Sequence, residues 1–445
     1  MRRRIKGFLL FLCFSVALSV TGILGSMNFA LPYGKAYKFN TLNGQPPIVI
    51  GHRGGGTGYR PEHTIGDLGG DLIGSDNLGV QFGADYIEPD LVITKDGVLI
   101  VRHEPLLATV ATDSNGNIIY DSNGKPTIQE ATTNVADIPK FADRLTTKFL
   151  DGANVTGWFA EDFTLAEIKE IRAIERLPKI RPNNTKYNGL FEIPTFDEFI
   201  KYAKEAEAKT GRKIGIYPET KHPTYFAEYG KYLDGTPIHV NTSQLLVDTL
   251  VANGYTDPSR IFLQSFEVSN LKELKEKIMP AAGIDLPIIQ LIDSSSAPYD
   301  FVYHNIPQTY ADLITPDGLA QVKTYATGIG PDKRLIVPAA PKLDNNGQPI
   351  DINGDGQISD ADKFLQQPTS LISDAHKAGL QVHLYTLRSD SYFLSPDYKG
   401  QPLREYNQFI NLGIDGYFTD FANDGYAAKQ KAIAKAALAN TSTRL

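Results

Sequence analysis

The sequence predicts an α/β protein, a closed (β/α)8 TIM barrel with an insertion after the second strand. Three observations carry that expectation. Short apolar, β-branched runs alternate with helical patterns along most of the chain, the order of a parallel sheet covered by helices. Eight such runs can be counted, enough to close a ring instead of leaving an open doubly wound sheet. Clusters of His, Glu and Asp follow successive runs, and the C-terminal ends of its strands are where a barrel carries its site.

The strand candidates are 47–51, 86–94, 213–218, 260–266, 287–292, 325–329, 380–387 and 413–419. Helix starts are legible between them. Thr195-Phe-Asp-Glu198 and Thr164-Leu-Ala-Glu167 read as capping boxes, each followed by apolar residues at helical spacing. Two stretches exceed a minimal barrel. About 106–190 is too long for one helix and its loops and reads as an insertion at the exit of the second strand. Within it, Asp113-Ser-Asn-Gly116 and Asp121-Ser-Asn-Gly124 predict hairpin turns of type I′. The stretch 338–362, rich in Asp, Asn, Gly and Pro, predicts a long loop. The barrel domain is placed at 47–430.

Of 445 residues, 42% are hydrophobic and 21% charged, the composition of a globular chain. The formal net charge of −7 excludes a basic nucleic-acid footprint, and no stable protein partner is implied. Arg2, Arg3, Arg4 and Lys6 precede an uncharged apolar run to about Gly25, the order of a secretory signal over residues 1–30. Export to the periplasm or the medium follows as an expectation, with an uncleaved membrane anchor as the alternative, because the run is almost long enough to span a bilayer. The one cysteine, Cys13, falls in that run, so disulfides and thiolate metal sites are excluded from the exported part.

The first chemical cluster is Gly51-His52-Arg53-Gly54 with Arg60-Pro-Glu62-His63-Thr64. It is a glycine-rich strand exit, but neither a Walker loop nor a dinucleotide fingerprint. The second is Glu88-Pro-Asp90, then Lys95-Asp-Gly97 and His103-Glu104. Glu88 and Asp90, two apart on a strand, face the same side, and burying both is costly without a cation between them. Hard oxygen ligands suit Mg2+ or Ca2+. Lys95-Asp-Gly97 reads as a turn whose returning strand brings His103 back to the same end. The third is Glu219-Thr-Lys221, a further carboxylate and an ammonium group. Carboxylates, histidines, Arg53 and Lys221 at three successive strand ends describe an anion-binding metal site, with phosphate the obvious anion. His63, His222 and His383 lie near strand exits, within reach of such a pocket, but read as ancillary. His239, His304 and His376 read as structural.

A separate pattern lies in the long loop. Asp351, Asn353, Asp355, Gly356, Ser359 and Asp362 occupy positions 1, 3, 5, 6, 9 and 12 of an EF-hand-type loop of residues 351–362, with the Gln357 carbonyl at the seventh. A second, structural Ca2+ is the expectation, with Ile358 turned to the core. Asp in place of Glu at the last position, and poor helical flanks, predict weak binding; a plain polar turn is the alternative.

These motifs, in this order, resemble the glycerophosphodiester phosphodiesterase family, most closely its exported bacterial branch. Gln264-Ser-Phe266, Gly328-Ile-Gly-Pro331, His383-Leu-Tyr-Thr386 and Asp415-Gly-Tyr-Phe-Thr-Asp420 extend the likeness from 47 to 422. His63 departs from it, standing where the family more often has Asn. The resemblance implies metal-dependent hydrolysis of small glycerophosphodiesters to sn-glycerol 3-phosphate and an alcohol. Glu88, Asp90 and Glu219 are the implied ligands of a Ca2+ or Mg2+ ion, Ca2+ favoured. His52 and His103 are the implied acid–base pair, and Arg53, Glu62 and Lys221 the implied contacts to the substrate. It also implies attack by a glycerol hydroxyl through a cyclic phosphate; the residues alone fit that route and direct attack by water equally.

Overall fold

The structure, a computed structural model, describes residues 38–67, 70–294 and 296–442. The basic and apolar leader lies outside them. Eight parallel strands form the ring: β1 Ile48–Gly51, β2 Tyr86–Ile87 resuming as Asp90–Ile93, β3 Gly215–Ile216 resuming as Glu219–Thr220, β4 Leu263–Ser265, β5 Ile288–Ile292, β6 Gly328–Pro331, β7 Gln381–Leu387 and β8 Gly416–Thr419. Each pairs with the next, and β8 returns to β1 with Gly416 opposite Ile48 and Thr419 opposite Gly51.

Alternation along the strands sorts two cores. Ile50, Ile289 and Phe418 cluster with Tyr217 inside the ring. Their neighbours Val49, Ile288 and Tyr417 belong to the larger core between strands and helices. Both predicted capping boxes form: the Thr195 hydroxyl accepts the Glu198 N–H at 3.1 Å, and Glu198 accepts the Thr195 N–H at 2.8 Å, starting helix Phe196–Thr210. Thr164 and Glu167 do the same. Among the described residues no helix is long and apolar enough to cross a membrane.

Two barrel strands break where proline removes a backbone donor, β2 at Pro89 and β3 at Pro218. The breaks lie side by side, because Asp90 and Glu219 are register partners across the two strands. Strand β6 begins at Gly328, later than the 325–329 expected. Tyr325 closes the preceding helical turn, and its hydroxyl donates to Gln290 Oε1 at 2.9 Å. The strand needs its glycine at Gly328, since a Cβ there would meet the Gln381 backbone oxygen at 2.7 Å.

After β2 a short strand, Leu99–Val101, runs back antiparallel along Asp90–Ile93 and returns the chain toward Asp90. A four-stranded antiparallel sheet follows, in the order Ile128–Ala131, Leu106–Val110, Ala153–Phe159, Thr146–Leu150. Its first two predicted turns form, but not as type I′. That type needs positive φ at both central residues, whereas here only the closing Gly116 (φ 83°) and Gly124 (φ 74°) are left-handed. Asp113 and Asp121 fix these turns by accepting N–H groups of Asn115 and Asn117, and of Asn123 and Lys125. Type I′ geometry occurs instead at Asp151 (φ 44°) and Gly152 (φ 89°), the tip between Leu150 and Ala153.

The long loop is carried by strands, not helices: Ala339–Pro341 pairs antiparallel with Lys363–Leu365. Ile358, expected to face the core, is 41% exposed.

Candidate active site

At the C-terminal mouth of the ring, Glu88 and Asp90 at the break in β2 and Glu219 after the break in β3 bring one oxygen each within 4.8 Å of one another. Among the described residues this is the single cluster of three such ligands, and all three are buried. Each is held from outside. Glu88 accepts the Arg53 N–H at 2.8 Å and Gln264 Nε2 at 2.8 Å. Asp90 Oδ2 lies 2.7 Å from His63 Nε2. Glu219 Oε1 lies 2.7 Å from Lys221 Nζ, which also stands 3.4 Å from Asp90 Oδ1.

The electrostatics show what the cluster lacks. Burial, then repulsion from Asp90 and Glu219, pushes Glu88 well above the usual carboxylate range. Burial raises Glu219 to about 8 despite Lys221. Asp90 is desolvated too, yet Lys221, His103 and His63 hold it well below the ordinary value. Its Oδ1 is buried without a hydrogen-bond donor. Three crowded carboxylates with an orphaned oxygen fit a hard divalent cation bound by oxygen.

A cavity of about 140 Å³ opens over the cluster, lined among others by His52, Arg53, His103, Lys221, Tyr385 and Arg388. His52 follows β1, and its Nδ1 bonds Asp420 Oδ1, just beyond β8. The other Asp420 oxygen receives Arg181 Nη2 at 2.5 Å and Arg388 Nε at 3.0 Å. Burial lowers His52 to about 4, against the pull of Asp420. His103 Nδ1 stands 2.9 Å from Glu104 Oε1; burial, with Arg53 and Lys221, lowers it to about 3. Both imidazoles are therefore neutral near pH 7, each with Nδ1 engaged by a carboxylate and Nε2 free for chemistry.

The structure thus gathers His52, His103, Arg53, Lys221, Glu88, Asp90 and Glu219 in one cavity. Glu62 lies outside that lining. It sits beside Arg53, accepting from Arg53 Nη1 at 2.7 Å and Arg176 Nε at 3.2 Å, and lines a small adjoining cavity with His52 and Arg53. His63, His222 and His383 do not line the cavity either. His63 backs Asp90, His222 bonds Glu104, and His383 Nδ1 meets the Tyr217 hydroxyl at 2.8 Å inside the barrel. Arg53 (φ 51°), His63 (φ 53°) and His222 (φ 46°) all occupy left-handed backbone, a strain that gathers at functional sites. Histidine and asparagine enter that region more readily than most residues, which accounts for either at position 63.

The acidic loop lies apart. Asp351 accepts the N–H groups of Gly354 and Gly356, and Asp355 that of Gln357. Asp362, buried, accepts those of Ile352, Asn353 and Ser359. The Asn353 side chain donates to Asp355. Its carboxylates do not bring three ligand atoms within 4.8 Å of one another.

Sequence reading missed Asp420, Gln264, Arg181 and Arg388 as site residues. Asp420 and Gln264 carried a signal, since both stand on or just beyond a barrel strand. Arg181, from the insertion, carried none.

The fold and site define an α/β-barrel enzyme with its polar centre at the strands' C-terminal mouth. A sequence model of the Glycerophosphoryl diester phosphodiesterase family matches residues 52–424, and the chain belongs to that family. It is 33% identical over 384 residues to a glycerophosphodiester phosphodiesterase of Arabidopsis thaliana, covering 84% of each chain. It is 28% identical over 400 residues to one from Haemophilus influenzae, covering 87% of this chain and 90% of the other. A solved chain from Silicibacter pomeroyi superposes with a TM-score of 0.51 at 18% identity, covering 89% of this chain and 98% of that one, a likeness of fold.

Proposed function

We propose that the protein hydrolyses glycerophosphodiesters to sn-glycerol 3-phosphate and a free alcohol, with a divalent metal and two histidines. The observation that carries this is the pairing of one buried tricarboxylate cluster with two neutral, carboxylate-anchored histidines in a single cavity. Glu88, Asp90 and Glu219 would hold the cation, Ca2+ by preference, and when bound it supplies positive charge to the phosphoryl oxygens. Arg53 and Lys221 complete the cationic lining and orient the phosphate. One histidine takes the proton of the attacking hydroxyl at Nε2; the other gives a proton at Nε2 to the departing alkoxide. The incoming phosphate anion favours the protonated form of that second ring, which burial and the neighbouring cations otherwise hold neutral.

Phosphate-ester product released from glycerophosphocholine, with and without chelator and added Ca2+ or Mg2+, tests this. Metal-stimulated release is expected. No release with any metal, or undiminished release in excess chelator, would falsify it.

Two further readings stand as proposals. Export, and with it membership of the exported bacterial branch, is supported by the basic residues and apolar run at the N-terminus. Mass spectrometry of the protein from the culture medium and periplasm checks it; protein confined to the cytoplasm with an intact N-terminus rejects it. A structural Ca2+ in loop 351–362 is supported by Asp351, at the first position, accepting the N–H of Gly356 at the sixth at 2.8 Å.

A further inference from the structure

A chain of side chains runs outward from His103 and ends in the insertion. His103 Nδ1 lies 2.9 Å from Glu104 Oε1. Glu104 Oε2 lies 2.6 Å from His222 Nε2, and His222 Nδ1 lies 2.7 Å from Asp151 Oδ2. The Tyr229 hydroxyl donates to Asp151 Oδ1 at 2.9 Å and accepts the Asp151 N–H at 3.0 Å. Asp151 sits at the type I′ tip of the insertion sheet, whereas His222 follows β3.

The proton inventory of this chain is determined. An imidazole whose two nitrogens both face carboxylate oxygens must donate from both, so His222 is an imidazolium. It is a fixed cation with no lone pair to offer, and not a second base. Its Nε2–H occupies Glu104 Oε2 and leaves Oε1 to accept Nδ1–H of His103. A histidine that donates from Nδ1 presents the Nε2 lone pair to the cavity, the tautomer that proton transfer to or from substrate requires.

Glu104 cannot hold this arrangement alone. Its side chain is 37% exposed, so without His222 its carboxylate is free to turn to solvent. The cation is in turn fixed by Asp151. Two residues of the chain, His222 (φ 46°) and Asp151 (φ 44°), are held in left-handed backbone, strain that neither residue relieves by itself.

We infer that Asp151, acting through His222 and Glu104, is a positioning residue that sets the tautomer and orientation of His103. The insertion is thereby part of the catalytic apparatus. This rests on the proposed role of His103, and the test separates the two. Asp151→Gly removes the carboxylate while suiting the left-handed turn. It is expected to lower kcat about 10-fold or more with KM within about twofold. Ring-nitrogen NMR shifts of histidine-labelled protein should show His103 passing from the Nδ1–H form to a tautomer mixture. Asp151→Asn, which keeps an acceptor but loses the charge, should fall between. Unchanged turnover, or lower turnover with the His103 tautomer intact, overturns the inference. Should Asp151→Gly not fold, Tyr229→Phe, which frees the Asp151 carboxylate, is read in the same way. An inactive wild type would reject the proposed function, while the NMR shifts would still decide whether Asp151 governs the His103 ring.

Discussion

Lys221 Nζ lies 2.7 Å from Glu219 Oε1, yet Glu219 still titrates near 8. One ammonium group, shared with Asp90, does not offset the burial of the carboxylate cluster. A proton and a divalent cation therefore compete for Glu219. Metal affinity should rise with pH through about 8 as Glu219 loses its proton, with proton release on binding from Glu219 and from Glu88, which is raised as well. The metal-free protein has the opposite slope. The Glu219 contribution to stability is fully present below its ordinary value of 4.5 and is lost as pH rises through about 8. Calorimetric metal titration across this range checks the affinity, and saturating metal should flatten the stability slope. Glu219→Gln should reduce the pH dependence and leave the part that comes from Glu88, which burial also raises, while Glu88→Gln and Asp90→Asn should weaken binding and be partly rescued by added metal. Affinity unchanged from the wild type in all three variants would place the cation elsewhere.

His52→Ala and His103→Ala should each lower kcat by about 10²-fold or more, because each ring carries a separate proton transfer. Far-UV circular dichroism should remain that of the wild type. Near-native turnover at saturating metal in either variant removes that ring from the mechanism.

Asp420→Asn tests the anchor of His52. Its carboxylate is buried between Arg181, Arg388 and His52, so neutralising it removes the carboxylate facing Arg388 and leaves Arg181 with Asp390 alone. A loss of about 3 kcal/mol or more in urea unfolding is expected, the usual scale for breaking a buried ion pair. Turnover should fall as well, since Nδ1 of His52 loses the anion that orients it. A variant as stable and active as the wild type would show that Asp420 does neither.

Asp351→Ala with Asp355→Ala should remove one Ca2+ per chain in calorimetry and lower the melting temperature, leaving catalytic metal dependence intact. An unchanged Ca2+ stoichiometry makes the loop a turn stabilised by its own N–H groups.

Most of the ring and the inner site were legible because strand exits and motifs coincide there. His52, Glu88, Asp90, His103 and Glu219 each follow or interrupt a strand, where a barrel exposes side chains to its mouth. β6 was misplaced because Gly328-Ile-Gly-Pro331 carries turn-type residues. Packing against β5 and β7 overrides that preference. The supporting residues were hidden for another reason. Arg181 meets Asp420 across 239 residues of chain, and Asp151 meets His222 across 71. Such pairings depend on how the insertion folds onto the mouth, which no local period records. The type I′ turn was misassigned because Asn-Gly suggests it, whereas Asp113 and Asp121 instead cap a longer turn that closes from Asp113 to Asn117 and from Asp121 to Lys125.

The paired proline breaks have a consequence for ionic radius. In an unbroken barrel the spacing between neighbouring strands is fixed by a continuous ladder. Here Pro89 and Pro218 each withdraw a donor immediately before Asp90 and Glu219, the two ligands that face each other in register. The seam keeps the bonds from Tyr217 N–H to Ile87 O, Glu219 N–H to Pro89 O and Lys221 N–H to Leu91 O, and lacks one rung, at Pro89, while Pro218 faces β4. That one missing rung lies beside the place where a cation would have to be fitted. Such a seam suits an ion with longer, more variable oxygen distances of about 2.3–2.6 Å over one demanding a rigid octahedron near 2.1 Å. Size discrimination is therefore expected to be shallow, with Ca2+ ahead and Mg2+ still accepted.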